Sequence, residues 1–317
     1  MNKKERVKAA IRKEKVDYVP SCFSLHFPRE TAFGEDAVKA HLEFYHATDT
    51  DILKVMNENL IPDIGPVETA ADWEKLPAYD RSARFIRDQA ELIRRLRDAE
   101  PDAYLLATVH GVCASMLHPM EASYGYDGGR ENEAKLLRMH PASYLEAGKR
   151  VTETLCELVR VCAEAGCDGI YYAALGGEYR YYTDGQFAQA VRPFDREILE
   201  VSRETKCDVF LHICKDRLNM ERYRSYAGLS DVVNWGVYEA PMSLEEGRKM
   251  FPDAAVMGGL ANRSGVLVEG TEEEIRQAVR KVVDGFGRIG FILGADCTLP
   301  TGIPVWRIRA AVEAARE

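Results

Sequence analysis

Nowhere in these 317 residues does an apolar run approach the roughly 18 residues that a bilayer-crossing helix requires. The first residues, Met1-Asn2-Lys3-Lys4-Glu5-Arg6, are charged and have no apolar core of the signal-peptide kind. Basic charge is also short. The 42 Lys and Arg stand against 51 Asp and Glu, a formal net charge of −9. General binding to nucleic acid or an anionic membrane needs basic patches and is excluded. Gly258-Gly259 has neither the third glycine of a dinucleotide fingerprint nor a Lys-Ser/Thr sequel, so it is weak as a phosphate loop. No repeat, low-complexity segment or linker interrupts the chain. These absences predict a soluble cytoplasmic protein, one domain over residues 1–317, with no nucleic-acid or membrane partner.

Cysteine is present, at positions 22, 113, 156, 162, 167, 207, 214 and 297. A chain of this size does not need disulfide staples, so in a reducing compartment these are thiols or metal ligands. Cys156 and Cys162 fall in a helical pattern, Cys167 follows Gly166, and Cys22 and Cys207 border apolar runs; such cysteines pack as small hydrophobes. Cys214 and Cys297 differ, because they end apolar runs and have polar neighbours. In Val209-Phe210-Leu211-His212-Ile213-Cys214, a strand puts His212 and Cys214 on one face, since side chains two apart point the same way. A second strand ending Ala295-Asp296-Cys297 offers another sulfur. One nitrogen and two sulfurs favour zinc over magnesium or calcium, and three ligands leave a position open for chemistry.

The apolar periodicity predicts an opening helix over 3–14, then strands at 16–25, 51–56, 104–111, 169–175, 208–214, 231–237, 255–260 and 290–296. Helices are expected between them at 35–47, 80–98, 142–165, 184–204 and 243–250. Another begins after Thr271, a last one covers 304–315, and residues 113–140 read as two helices broken at Gly125–Gly129. Ser243 with Glu246, and Thr271 with Glu274, are capping-box signals. Alternating strands and helices predict an α/β fold, a (β/α)8 TIM barrel, over a doubly wound open sheet. An open sheet would spread the exits of the fifth, sixth and eighth strands. A barrel gathers them at one mouth, bringing together His212, Cys214, Cys297 and, after the sixth strand, Glu239.

On these residues the chain resembles the uroporphyrinogen decarboxylase superfamily, and within it the zinc- and cobamide-dependent methyltransferase branch. The resemblance rests on Val16-Asp17-Tyr18-Val19-Pro20, Asp51-Ile52-Leu53-Lys54-Val55-Met56-Asn57-Glu58 and Tyr182-Thr183-Asp184-Gly185-Gln186-Phe187. It continues in His212-Ile213-Cys214, Val256-Met257-Gly258-Gly259-Leu260 and Phe291-Ile292-Leu293-Gly294-Ala295-Asp296-Cys297. It implies a zinc ion on His212, Cys214 and Cys297, with Glu239 placed as fourth ligand by its strand exit. It also implies methyl transfer between a small thiol or methyl ether and a corrinoid. The corrinoid-binding Asp-x-His-x-x-Gly pattern is missing from this sequence, so the cofactor is expected on a separate partner protein.

Within the superfamily, a true decarboxylase of the heme pathway is the alternative. Its substrate carries eight carboxylates and is gripped by an arginine-rich N-terminal motif, whereas Phe23–Glu30 here holds only Arg29. A barrel that binds a small molecule without turnover is the non-enzyme alternative. His110 and Glu178 also leave strands at the expected mouth, where they can orient substrate or hold water. Asp296 is expected to support a metal ligand. Asn57 and Tyr181 are candidates for substrate contact, Tyr181 as one of a cluster with Tyr171, Tyr172, Tyr179 and Tyr182 that suits an aromatic ether.

Overall fold

The structure, a computed structural model, describes residues 1–317. Its strands are β1 (Ser21–Cys22), β2 (Ile52–Val55), β3 (Tyr104–His110), β4 (Gly169–Ala174), β5 (Asp208–Ile213), β6 (Val232–Trp235), β7 (Ala255–Leu260) and β8 (Phe291–Ala295). They form one parallel sheet in the order β1-β8-β7-β6-β5-β4-β3-β2, the ring of a nearly closed (β/α)8 barrel.

The ring is thinnest between β1 and β2. There the Asp51 N–H donates to the Ser21 carbonyl at 3.1 Å. The Asp51 carboxylate accepts from the Ser21 N–H (2.9 Å), the Ser21 hydroxyl (3.1 Å) and Arg6 Nη1 (2.9 Å). A side chain thus bridges where the ladder is short. The strand expected over 16–25 contracts to two residues, because Pro20 has no N–H to give. The Pro20 carbonyl still accepts from Leu293, and Leu25 returns only as an isolated bridge to Leu299.

The helices are α1 (Lys3–Ile11), α2 (Gly34–Thr48), α3 (Arg84–Ala99), α4 (Val112–Leu117), α5 (Glu121–Met139), α6 (Pro141–Glu164), α7 (Asp184–Ala190), α8 (Arg192–Glu204), α9 (Leu244–Met250), α10 (Val266–Glu269), α11 (Glu272–Phe286) and α12 (Val305–Ala314). Both expected capping boxes form, at Ser243/Glu246 and Thr271/Glu274, and others at Asn2/Glu5 and Thr183/Gln186 start α1 and α7. The single helix expected over 184–204 is two. Pro193 lacks the N–H that would continue α7, and Val191 leaves helical geometry just before it. Inside α5, Gly125 takes φ 67° and ψ 173°, the break foreseen at the glycines.

Strand alternation sorts the core into two regions. Val209, Leu211 and Ile213 of β5 face the helices, while Phe210 faces the barrel axis. The interior packs Ile52, Tyr104, Leu106, Phe210, Val232, Ala255 and Ile292 over Val7, Ala10 and Ile11 of α1, which plugs the base. Each Val, Leu, Ile or Phe among them contributes about 1.5–3 kcal/mol on burial. Lys8 and Tyr104 both reach the Asp208 carboxylate at 2.6 Å and tie the plug to β5. With the base filled, the opposite end of the barrel is left for a ligand. No helix is long and apolar enough to cross a membrane.

Candidate metal centre

Alternation along β5 turns His212 inward with Phe210, and Cys214 follows one step beyond the strand end. On the other side of the mouth, the Asp296 N–H bonds to the Leu260 carbonyl at 2.8 Å, and Cys297 comes next. One ligand atom each from His212, Cys214 and Cys297 lies within 4.8 Å of the others. The two sulfurs are 3.8 Å apart. Two zinc–sulfur bonds of about 2.3 Å at a tetrahedral angle span about 3.8 Å, nearly twice a disulfide. His212 is only 2% exposed, and neither ring nitrogen has a hydrogen-bond partner. A buried imidazole in that condition is costly unless another species satisfies it. The donor set, the sulfur spacing and the orphaned nitrogens all fit a zinc ion.

The thiols are already uneven. Cys297 is held well below the usual thiol range by a hydrogen bond from Cys214, helped by His212 and the Thr298 N–H, against the effect of burial. Cys214 is correspondingly pushed up, by that same bond and then by burial. In that hydrogen bond Cys214 is the donor and Cys297 the acceptor. The chain turns sharply past Cys214, with Lys215 at φ 82° and Arg217 at φ 49°, left-handed geometry that is uncommon outside glycine and clusters at functional sites.

Tyr171 of β4 stacks on His212, with ring centroids 5.3 Å apart and planes at 19°. Its hydroxyl donates to Asn234 Oδ1 at 3.1 Å, and Asn234 Nδ2 donates to the Met257 carbonyl at 2.9 Å and the Ala295 carbonyl at 3.2 Å. Asn234 so joins β6, β7 and β8 beneath the cluster. Lys54 of β2 sits 3.7 Å above the same Tyr171 ring and donates to Thr108 Oγ1 at 2.5 Å. Over this layer opens a cavity of about 520 Å³, within the range of small-molecule sites.

The other candidates separate into those that face the cavity and those that do not. Glu239 lines it but stands outside the three-atom cluster. The surrounding walls, and then the charge of Cys297, push its carboxyl up. His110 lines the cavity from β3, gives its Nε2–H to the Asn57 carbonyl at 2.9 Å, and meets His118 edge-on at 5.0 Å. Burial lowers His110, so it is neutral near pH 7. Asn57 is buried behind it, and its side chain accepts from the Asn59 N–H at 3.1 Å.

Glu178 does not line the cavity. It is buried against Arg130 (Oε1 to Nη1, 3.1 Å) and accepts from the Gly176 N–H at 3.0 Å, which locks the turn after β4. Tyr181 lies beside that pair, 4.5 Å from the Arg130 guanidinium, also off the cavity wall. Asp296 is buried and accepts from the Tyr238 N–H at 3.0 Å, so it holds the loop that carries Glu239. Burial pushes it up to about 7. Of the tyrosine cluster only Tyr171 reaches the cavity, joined there by Tyr126. Tyr172 and Tyr182 point into the helical shell, and Tyr179 is exposed. Sequence reasoning gave no role to Lys54, Thr108 or Asn234. The available signal was a lysine on the inward face of an otherwise apolar strand.

The family model for uroporphyrinogen decarboxylase (URO-D) matches residues 53–317. Among solved structures, a methyltransferase from Methanosarcina mazei superposes with a TM-score of 0.74 at 16% identity, over 99% of this chain and 98% of that one. A B12-independent methionine synthase from Shewanella sp. W3-18-1 gives 0.61 at 13% identity, over 94% and 97%. At such identities the likeness is one of fold. No curated protein matches the sequence.

Proposed function

We propose that this chain, which belongs to the uroporphyrinogen decarboxylase family, is a zinc-dependent methyltransferase moving a methyl group between a small thiol or methyl ether and a corrinoid on a separate protein. The observation that carries the reading is the meeting of one imidazole and two sulfurs, the cysteines 83 positions apart in sequence, at the wall of a 520 Å³ cavity. Zinc in such a site holds a thiol as its thiolate or draws charge from an ether oxygen, and the corrinoid supplies the cobalt that carries the methyl group.

The chain's own residues do the rest. His212, Cys214 and Cys297 would hold the ion, and Glu239, which lines the same cavity but stands outside the three-atom cluster, would have to move inward to take a fourth position. Tyr171 keeps the imidazole plane by stacking and is itself pinned by Asn234. His110, whose Nε2–H is committed to the Asn57 carbonyl, keeps Nδ1 as an acceptor for a reactant proton. Two thiolate donors soften the ion and suit a thiol, while the faces of Tyr171 and Tyr126 suit an aromatic ether. The eight free thiols fit a reducing compartment, and we place the protein in the cytoplasm.

The cavity's charge argues against a polycarboxylate substrate. Lys54, Lys215 and Arg263 share its lining with Glu58, Glu121, Asp216 and Glu239, so eight carboxylates would meet repulsion as well as attraction. The test is metal analysis followed by an anaerobic screen with methylated and reduced corrinoid, thiols and methoxylated aromatics. One zinc per chain and methyl transfer, both lost in His212→Ala and Cys214→Ala, are expected. A metal-free wild type with unchanged stability would instead favour the decarboxylase or a non-catalytic binding barrel.

A further inference from the structure

Cys167 and Cys207 stand just before β4 and β5, and one residue beyond them the Asp208 N–H bonds to the Asp168 carbonyl at 3.0 Å. Their sulfurs are 3.7 Å apart, and the residues are 40 positions apart in sequence. Gly169 pairs with Asp208, so the register carried back puts Cys167 one step off the residue opposite Cys207. Strands about 4.8 Å apart with a rise of about 3.3 Å make that diagonal about 5.8 Å between Cα atoms. A disulfide takes Cα atoms about 4.4–6.8 Å apart and sulfurs about 2.05 Å apart. The backbone separation suits the bond, and rotation of the side chains brings the sulfurs the rest of the way.

Packing does not account for the pair. Cys22, Cys113, Cys156 and Cys162 are buried as small hydrophobes, and burial pushes all four up, Cys22, Cys156 and Cys162 to about 12. Cys207 is only half-buried, so an apolar role gains little there. A hydrogen bond from Cys167, against burial and with help from Thr205, lowers its thiol. The same bond and then burial push Cys167 up. The Asp168 and Asp208 carboxylates work against a thiolate, but Arg97, Lys4 and Lys8 pair with them. One sulfur is open and ionises readily, and its neighbour is covered and within reach. That is the arrangement of an attacking and a resolving cysteine.

We propose that this pair is a modification site for hydrogen peroxide, closing to a disulfide that staples the entry of β5, the strand leading to His212 and Cys214, to the entry of β4. The Cys207 thiolate attacks one peroxide oxygen, the O–O bond breaks, and the departing hydroxide takes a proton to become water. The Cys167 sulfur then attacks the Cys207 sulfenic acid, the S–O bond breaks, and the second hydroxide leaves with the Cys167 proton as water. In total two thiols lose two electrons and two protons, and one peroxide is reduced to two waters. A thiol reductant reverses the step by exchange. The site lies at the barrel base and does not depend on methyl transfer.

The test is to treat the full chain with a small molar excess of hydrogen peroxide, map its peptides without reduction, and melt it. A link between the Cys167 and Cys207 peptides, two hydrogens lighter than its parts and opened by dithiothreitol, is expected. Because the link closes a loop of 40 residues, the linked chain should melt a few degrees above the reduced one. Cys167→Ser should stop at the sulfenic acid, trapped on Cys207 by dimedone. Cys207→Ser should give neither product at Cys167. Unlinked base thiols after peroxide is consumed, or a linked chain that melts no higher than the reduced one, would overturn the proposal. So would dimedone capture on Cys167 of Cys207→Ser as fast as on Cys207 of Cys167→Ser. The mapping and the melt use wild type and need no variant to fold.

Discussion

Two thiol pairs flank the same strand at opposite ends of the barrel. At the mouth Cys214 and Cys297 have their sulfurs 3.8 Å apart, and at the base Cys167 and Cys207 have theirs 3.7 Å apart. Electrostatics does not separate them, since in each pair a hydrogen bond from one thiol lowers the other, Cys297 above and Cys207 below. The surroundings do. The mouth pair has an imidazole with both nitrogens free and a cavity beside it. The base pair has the Thr205 hydroxyl and the Cys167 carbonyl. Its neighbouring carboxylates are already committed, Asp168 to Arg97 and Lys4, Asp208 to Lys8 and Tyr104. Sulfur spacing alone therefore does not mark a metal site; an unspent third donor and open space make the mouth pair the candidate.

Replacing ligands breaks the comparison most sharply. His212→Ala, Cys214→Ser or Cys297→Ser is expected to remove zinc and lower methyl transfer by more than about a hundredfold, beyond what loss of an outer partner costs. Cys167→Ser and Cys207→Ser should keep both, and zinc loss from the base variants in metal analysis would reverse the assignment. Next is metal removal. Zinc at a hundred times its Kd adds about 2.7 kcal/mol to the folded state. Thermal melts should show wild type and both base variants losing that increment to a chelator, while the mouth variants have none to lose.

A smaller effect is expected one layer out. Asn234→Ala frees the Tyr171 hydroxyl that steadies the stack on His212, and should weaken zinc binding about tenfold in a competition titration. Thr205→Ala, its counterpart at the base, should leave zinc affinity unchanged. The smallest difference is in thiol labelling near pH 7. Without zinc, Cys297 and Cys207 should both react faster than an ordinary thiol, because each is lowered and carries more thiolate. Zinc should protect Cys297 and leave Cys207 as it was. Lowering the pH should slow both by protonation, and peptide mapping of the label reads each rate.

Much of the barrel was legible because its strands are buried on both faces and so appear as short apolar runs between turn signals. The caps at Ser243 and Thr271 were legible because a capping box is closed by residues three apart. The bridge that closes the ring between β1 and β2 was not, since it depends on how Asp51 reaches back to Ser21 from 30 positions away. The same limit applies to Glu178. Its exit position suggested a place in the mouth, but its orientation is set by Arg130, 48 positions distant. Lys54 was hidden for the opposite reason: one charge in an apolar strand looks incidental until the interior around it is known.

By itself the sequence determined the local terms: which segments are strands, that His212 and Cys214 share a face, and that imidazole and sulfur are the available donors. Those follow from alternation and side-chain chemistry over a few residues. Only the tertiary structure decided that Cys297 meets them, that Glu178 is spent on an ion pair, and that Lys54 faces the cavity without a carboxylate partner. Each of these depends on distances between strands, and a linear chain does not specify such distances until the ring has formed.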